Sequence, residues 1–312
     1  MNSFTLPSFA KLNLGLQIKG RREDGYHEIS TVFQTISLRD NLTFEEKSGP
    51  DLVLKCNDPS IPVDERNLVL RAASALKRQF GVSAGAEIRL EKVIPAGGGL
   101  GGGSSNAAIT LIGLCRLWNI RPEPGQLAEI GAGLGADVCF FLSGGTAVGT
   151  GVGDKIQSVP DVDLPFLLIA TPDVHISTAE AYKMLNSPAL TKETGNIILS
   201  VSDTEAQMGI SLSSELRNDF ESVVFEIEPE VRRARSRMCE LGARVSLLSG
   251  SGSSVFGLFD SRETRADAFR ELEKESGWRV FACSSISRAV YAFAMGECAR
   301  FLNLIPHFDI GA

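Results

Sequence analysis

Histidine and tyrosine are scarce in this chain, with three of each among 312 residues, and the six cysteines are scattered. No Cys-x-x-Cys pair occurs and the histidines lie far apart, so the ligand spacing of a zinc site is missing. Most of the cysteines have apolar neighbours in the sequence. We therefore expect them to be buried free thiols, as in proteins of a reducing compartment.

Long apolar runs are missing as well, since no stretch of 18 or more apolar residues occurs, which excludes a membrane-spanning helix. The first ten residues, MNSFTLPSFA, lack the basic and apolar regions of a secretion signal. Positive charge is in the minority, with 31 Lys and Arg against 38 Asp and Glu and a net charge of -7. These features predict a cytoplasmic protein with no membrane or nucleic-acid partner.

Two common catalytic motifs are also absent. The Gly-Lys dipeptide of a Walker A loop occurs nowhere in the chain, which excludes a P-loop nucleotide site. The Gly-x-Ser-x-Gly elbow of the α/β-hydrolases is missing too, which weakens the hypothesis of a serine hydrolase.

Glycine, by contrast, is abundant, with 31 residues of 312. Six glycines fall within residues 97–103, between a predicted strand at 86–93 and an apolar helix predicted from about 106 to 118. Without side chains, successive backbone N–H groups can converge on an anion, and the start of the following helix adds a positive dipole end. The pattern predicts a phosphate-binding turn. It also satisfies Gly-x-Gly-x-x-Gly, but a dinucleotide fold places that motif after its first strand, and several strands precede it here.

The length and a hydrophobic content of 43% predict two lobes, with the boundary at 157/158, where turn residues precede a new strand. Strands and helices mix without regular βαβ spacing, which favours an α+β fold. Further predicted elements are a strand at 165–171, a long helix at about 229–241 and a strand at 244–248.

Local patterns predict several elements of the first lobe. Alternation over 9–19 is typical of a half-buried strand that points Lys11 and Asn13 to the same face. Residues 43–55 are predicted to form a hairpin, and Asn67 to cap a helix that ends at Gly81. The apolar run 138–142 fits either a strand or a helix.

Two charged residues stand out by their surroundings. Asp137 directly precedes five apolar residues, where an unpaired carboxylate is costly. Lys11 is the one charged residue between Asn2 and Ile18. If the two pair across the fold, the Lys11 ammonium could orient the Asp137 carboxylate towards a substrate hydroxyl, as phosphoryl transfer to an alcohol requires. A plain buried ion pair, or an aspartate that caps a turn, remains an alternative.

With these residues in view, the chain resembles the GHMP kinases, which place a glycine turn at the head of a helix. Similarity is carried by AKLNL at 10–14, DGYH at 24–27, the glycine turn, LGADV at 134–138 and LSGSGSSVF at 248–256. AKLNL with DGYH, and LGADV, sharpen the resemblance to the member that phosphorylates the 2-hydroxyl of a cytidine diphosphate derivative of a branched polyol, in non-mevalonate isoprenoid biosynthesis. Residues from about 289 extend past the usual end of the family and inherit no role.

The resemblance implies a two-lobed α+β fold with the active site between an ATP-binding lobe, 1–157, and a second lobe, 158–312. It implies ATP and Mg²⁺ as cofactors, Lys11 and Asp137 as catalytic residues, and Ser105 as a metal ligand. The residues implied for ATP binding are Pro95, Ala96, Gly97, Gly98, Gly99, Leu100, Gly101, Gly102, Gly103, Ser104 and Ser105, with Asn67 and Lys92.

For the acceptor, the resemblance implies binding by Asn13, Tyr26, His27, Thr178 and Tyr182. Tyr26 and Tyr182 would stack on the cytosine and His27 would contact its edge. Another GHMP kinase, or a non-catalytic ligand sensor on the same scaffold, is the alternative. We expect a monomer or a weak homodimer.

Overall fold

The computed structural model describes residues 3–185 and 216–302. Its strands form two sheets and its helices pack on them, which confirms the α+β class. The first lobe contains β1 (Ser3–Arg21), β2 (His27–Lys47), β3 (Leu52–Cys56), α1 (Leu68–Phe80), β4 (Gly85–Glu91), α2 (Gly102–Leu117), α3 (Gln126–Ala132), α4 (Ala136–Phe141), β5 (Thr146–Thr150) and β6 (Lys155–Ser158).

The sheet of the first lobe has the order β3-β4-β2-β5-β6, with β1 paired along β2. Strand β4 therefore lies between β2 and β3, and β3 runs parallel to β4 with Leu52 opposite Ala86. The predicted hairpin over 43–55 is wrong for this reason. The turn between the two arms exists, but β4, from later in the chain, lies between the arms. No local sequence pattern predicts this insertion of a strand.

Helix α1 follows its sequence signals closely. The Asn67 side chain accepts a hydrogen bond from the Val69 N–H, and Gly81 ends the helix in the left-handed region at φ 63°. The helix predicted at this position is confirmed. The ambiguous run 138–142 falls largely within a helix, α4, which begins just before Asp137.

Strand β1 is buried on both faces, so the prediction of a half-buried strand is wrong. On one face, Ala10, Leu12 and Leu14 share a hydrophobic cluster with residues of the second lobe. On the other face, Lys11 and Asn13 are buried as well. Polar residues on alternate positions normally indicate a face in water. Here they indicate a polar site that the rest of the protein covers.

The second lobe is built on a four-stranded antiparallel sheet of order β10-β7-β9-β8. Its elements are β7 (Leu167–Pro172), α5 (Thr178–Met184), α6 (Glu221–Ile227), α7 (Pro229–Glu240), β8 (Val245–Leu248), β9 (Val255–Leu258), α8 (Arg262–Leu272) and β10 (Trp278–Cys283). The strands predicted at 165–171 and 244–248 and the long helix at 229–241 are confirmed, within two residues at each end.

A further helix, α9 (Arg288–Met295), and a 3₁₀ helix (Gly296–Phe301) return to the first lobe. Tyr291, Met295 and Cys298 belong to its main hydrophobic cluster. We call residues 288–302 the C-terminal brace. Residues 303–312 of the predicted tail lie outside the described residues, and the boundary at 157/158 stays a prediction.

Within 3–185 and 216–302, every helix is too short or too polar to traverse a bilayer.

Candidate active site

Lys11 and Asp137 meet where β1 passes the start of α4. Lys11 Nζ lies 3.2 Å from Asp137 Oδ2, with the lysine side chain 4% exposed and the aspartate 29%. The ammonium also donates to Asn13 Oδ1 at 2.5 Å and to the Gly99 carbonyl oxygen at 3.0 Å. The carboxylate thus has an open side, whereas the ammonium is enclosed between the carboxylate and the glycine turn.

The glycine turn leads directly into α2, which begins at Gly102, four residues earlier than predicted. Gly101 occupies the N-cap position at φ 68°, and no side chain caps the helix. The first N–H groups of a helix have no intrahelical acceptor, and the helix dipole adds positive charge at that end. An anion at this turn would therefore meet several free donors.

The glycines of the turn are needed for two different reasons. A Cβ on Gly99 would lie 2.0 Å from the Ser249 carbonyl oxygen, and one on Gly101 would lie 3.0 Å from Lys11 Cγ. These two positions allow close packing against the second lobe and the lysine. Gly103 is exposed, and a Cβ there would meet nothing nearer than Leu68 Cδ1, at 3.7 Å. Its lack of a side chain leaves open space in front of the helix.

The loop between β8 and β9 supports the turn from the second lobe. The Ser254 N–H donates to the Gly98 carbonyl oxygen at 3.1 Å, and Ser249 Oγ donates to the Gly99 carbonyl oxygen at 3.1 Å. The LSGSGSSVF segment therefore lies behind the glycine turn, and its contacts fix the position of that turn relative to both lobes.

Aromatic side chains surround the opposite end of the site. The rings of His27 and Tyr182 stack at a centroid distance of 4.7 Å and an interplanar angle of 17°, and Tyr182 contacts Phe220 edge-on. Tyr26 is 66% exposed at the rim. Burial, with a smaller effect of the Arg21 charge, lowers the pKa of His27. This favours the neutral imidazole, in which one ring nitrogen can accept a hydrogen bond.

A cavity of about 1310 Å³ between the lobes joins these parts. The predicted site residues that line it are Lys11, Asn13, Tyr26, His27, Gly97, Gly99, Gly101, Asp137, Thr178 and Tyr182. The other predicted residues, Pro95, Ala96, Gly98, Leu100, Gly102, Gly103, Ser104, Ser105, Asn67 and Lys92, lie outside this lining. The volume suffices for ligands larger than a single nucleotide.

Three of the residues predicted to bind ATP or its metal ion have polar partners within the protein. Asn67 Oδ1 accepts a hydrogen bond from the Val69 N–H, and Asn67 Nδ2 donates to the Pro62 carbonyl oxygen. Lys92 Nζ pairs with the buried Asp40 at 2.8 Å. Ser105 Oγ accepts from Ser8 Oγ at 2.7 Å, and both residues are fully buried. Their predicted ligand roles stay predictions.

Sequence reasoning missed several residues that the fold brings to the site. Arg21 and Lys183 line the cavity beside His27 and Tyr182 and add positive charge there. Lys183 directly follows Tyr182 in the chain, a signal that could have found it. Arg21 comes beside His27 through the pairing of β1 with β2. Among residues 3–185 and 216–302, no group of three or more His, Cys, Asp and Glu side chains is placed to hold a metal ion.

A side chain at Gly103 is expected to raise the KM for ATP by about tenfold, the equivalent of one lost hydrogen bond to a charged group. Gly103→Val should keep the fold because the position is open, and steady-state kinetics gives the KM. Gly99→Ala is the matched contrast, since its Cβ would strike the Ser249 backbone. Circular dichroism should show that this variant is destabilised. Wild-type ATP affinity in a folded Gly103→Val protein would contradict a phosphate-binding turn.

Family models match both parts of the chain: the GHMP kinases N-terminal domain over residues 67–145 and the GHMP kinases C-terminal domain over 203–277. The chain is 42% identical to the 4-diphosphocytidyl-2-C-methyl-D-erythritol kinase of Prosthecochloris aestuarii over 88% of this chain and 95% of the relative. It is 38% identical to the same enzyme of Syntrophotalea carbinolica, over 92% and 100%.

A solved structure of 4-(cytidine 5'-diphospho)-2C-methyl-D-erythritol kinase superposes with a TM-score of 0.72 and 33% identity, over 90% of this chain and 99% of that one.

Proposed function

The chain belongs to the 4-diphosphocytidyl-2-C-methyl-D-erythritol kinases of the GHMP kinase family, and from that premise we propose how its residues perform the reaction. The protein is a small-molecule kinase. It transfers the γ-phosphoryl group of ATP to the 2-hydroxyl of 4-diphosphocytidyl-2-C-methyl-D-erythritol, giving the 2-phosphate and ADP. The reaction supplies isoprenoid precursors by the non-mevalonate route.

The observation that carries the mechanism is the Lys11–Asp137 pair beside the glycine turn. As the hydroxyl oxygen bonds to phosphorus, the bond from the γ-phosphorus to the ADP oxygen breaks, and Asp137 accepts the hydroxyl proton. Lys11 orients the carboxylate, and its positive charge lies close to the Gly99 backbone of the turn. The N–H groups at the start of α2 hold the phosphates.

The glycine turn fits a triphosphate, because no side chain caps the start of α2 and a Cβ on Gly103 would meet only Leu68, which follows the predicted contact Asn67 in the chain. Magnesium in kinases is bound largely through phosphate oxygens with few protein ligands, and it neutralises their charge. Ser105, the predicted ligand, would have to exchange its bond with Ser8 for the cation. Asp137 is a carboxylate of the cavity that connects to the turn through Lys11, which donates to the Gly99 carbonyl oxygen.

At the acceptor end, we assign the cytosine to the aromatic group of Tyr26, His27 and Tyr182. Neutral His27 can accept a hydrogen bond from an exocyclic amine. Thr178, whose Oγ1 lies 2.8 Å from Ser251 Oγ, and Asn13 provide polar groups along the cavity.

An ADP-release assay tests the function directly, with the cytidine diphosphate substrate compared with mevalonate and homoserine as acceptors. We expect turnover on the cytidyl substrate alone. Preference for either of the other alcohols would indicate another GHMP kinase, and ATP binding without turnover on any acceptor would indicate a ligand sensor.

Removal of the Tyr26 ring is expected to weaken binding of cytidine diphosphate by about 1–3 kcal/mol, the contribution of one stacking face. ATP-analogue binding should be nearly unchanged, because the donor lies on the glycine turn. Isothermal calorimetry on Tyr26→Ala gives both affinities, and Tyr26→Phe, which keeps the ring, is the control that should bind normally. Equal weakening of both ligands, or of neither, would remove the cytosine assignment.

We further propose a cytosolic location and a monomeric or weakly dimeric state. All six cysteines are free, but Cys239 is exposed and Cys56 half-buried, so the expectation of burial is wrong for these two. Free thiols that water can reach persist in a reducing compartment, which supports the first point. Cell fractionation and sedimentation equilibrium test these two points.

A further inference from the structure

The C-terminal brace contacts the helix that bears the catalytic carboxylate. Tyr291 in α9 is fully buried, and its hydroxyl donates to the Phe141 carbonyl oxygen at 2.7 Å. Phe141 is the last residue of α4, one turn after Asp137. The final carbonyl groups of a helix have no intrahelical donor, so this bond satisfies one of them inside the protein.

The same tyrosine contacts the strand that bears the catalytic lysine. Its ring lies 5.6 Å from the ring of Phe9, which precedes Lys11 by two residues on β1. It also packs directly on the backbone after α4, because a Cβ on Gly144 would lie 2.5 Å from Tyr291 Cδ1. One side chain therefore touches both elements whose relative position sets the Lys11–Asp137 distance.

Helix α4 needs such a contact because it is short. It has six residues, and no side chain caps its N-terminus. A helix of that length is not stable alone and takes its orientation from its surroundings. A small rotation about its axis would turn the Asp137 carboxylate away from Lys11 and from the acceptor hydroxyl.

The brace also reaches the helix of the glycine turn. Glu297 lies 3.4 Å from Arg116, in the last turn of α2. This pair is largely exposed and adds little stability. Its importance is its location, since the brace then spans β1, α2 and α4, the three elements that carry the site.

We propose that Tyr291 is a positioning residue for the phosphoryl transfer, through its hydroxyl bond to the end of α4. The inference rests on the proposed function for its kinetic consequence. Tyr291 does not touch the cavity, so it acts on the approach of Asp137 to the hydroxyl and not on ligand affinity.

The test compares Tyr291→Phe with Met295→Leu in the full chain. Tyr291→Phe keeps the ring and removes the hydroxyl, so the fold should persist. We expect its kcat to fall about tenfold, because misplacement of a reacting group by a fraction of an ångström is costly. The KM values for ATP and the acceptor should change less than about twofold. Met295→Leu conserves volume in the same helix and breaks no hydrogen bond, and its kcat should match the wild type.

A second readout needs no substrate and separates this inference from the proposed function. Hydrogen–deuterium exchange of residues 138–144 should be faster in Tyr291→Phe and unchanged in Met295→Leu. Turnover by the wild type tests the proposed function. The ratio of the variant's kcat to the wild-type kcat, together with the exchange rates, tests the positioning role of Tyr291. Unchanged kcat or unchanged exchange in folded Tyr291→Phe, or an equal loss in Met295→Leu, would overturn the proposal.

Discussion

Replacement of Asp137 by asparagine is expected to lower kcat by about 10²–10⁴-fold, with ATP-analogue binding retained. The amide has nearly the shape of the carboxylate but cannot accept the hydroxyl proton. It also removes the negative charge that lies 3.2 Å from Lys11 Nζ, so the ammonium loses the partner that positions it. The coupled ADP-release assay gives kcat, and calorimetry gives nucleotide affinity.

Asp154 offers a matched control for this experiment. Its carboxylate lines the same cavity and accepts a hydrogen bond from the Val152 N–H within its own turn. Asp154→Asn therefore changes charge in the cavity without touching the pair, and its kcat should stay within a few-fold of the wild type. Near-normal turnover in folded Asp137→Asn would contradict the catalytic role, and loss of folding would assign the pair a structural one.

Replacement of Asp40 by alanine is expected to destabilise the protein by about 3–5 kcal/mol, the cost of breaking a buried ion pair from one side. Asp40 is fully buried and accepts hydrogen bonds from Lys92 Nζ, the N–H groups of Val93 and Ile94, and Asn106 Nδ2. Burial lowers the pKa of Lys92, against the opposing effect of the Asp40 carboxylate. Without that carboxylate, the buried lysine loses its ion-pair partner.

Urea unfolding of Asp40→Ala measures this loss as a shift of the midpoint. Asp64→Ala is the control, because Asp64 pairs with Arg66 on the surface, where such pairs add little. We expect its midpoint to coincide with that of the wild type. If the urea midpoint of Asp40→Ala also coincided with that of the wild type, Asp40 and its hydrogen-bond partners would not contribute to stability as we expect.

Local signals in the sequence predicted the elements whose causes are local. Helix α1 is defined by Asn67 at its start and Gly81 at its end, and both act within one turn of themselves. The arms of the predicted hairpin, by contrast, are separated by β4. This strand comes later in the chain and pairs with β2 on one side and β3 on the other. The composition of each arm is the same in either topology, so the sequence alone does not distinguish them.

The site could be predicted where a residue is conspicuous in its own neighbourhood. Lys11 stands alone among uncharged residues, and the glycine turn is dense in one residue type. Asp40 and Tyr291 have no such contrast. Their importance comes from partners on other elements, Asn106 for one and Phe141 for the other, which only the folded chain reveals. The predicted roles of the ligand-binding residues await the experiments above.

The Gly99 carbonyl oxygen accepts hydrogen bonds from Lys11 Nζ and from Ser249 Oγ of the second lobe. A single oxygen thereby links the Lys11 ammonium to the seam between the lobes. A shift of one lobe against the other would therefore move this oxygen and, with it, the ammonium that donates to it.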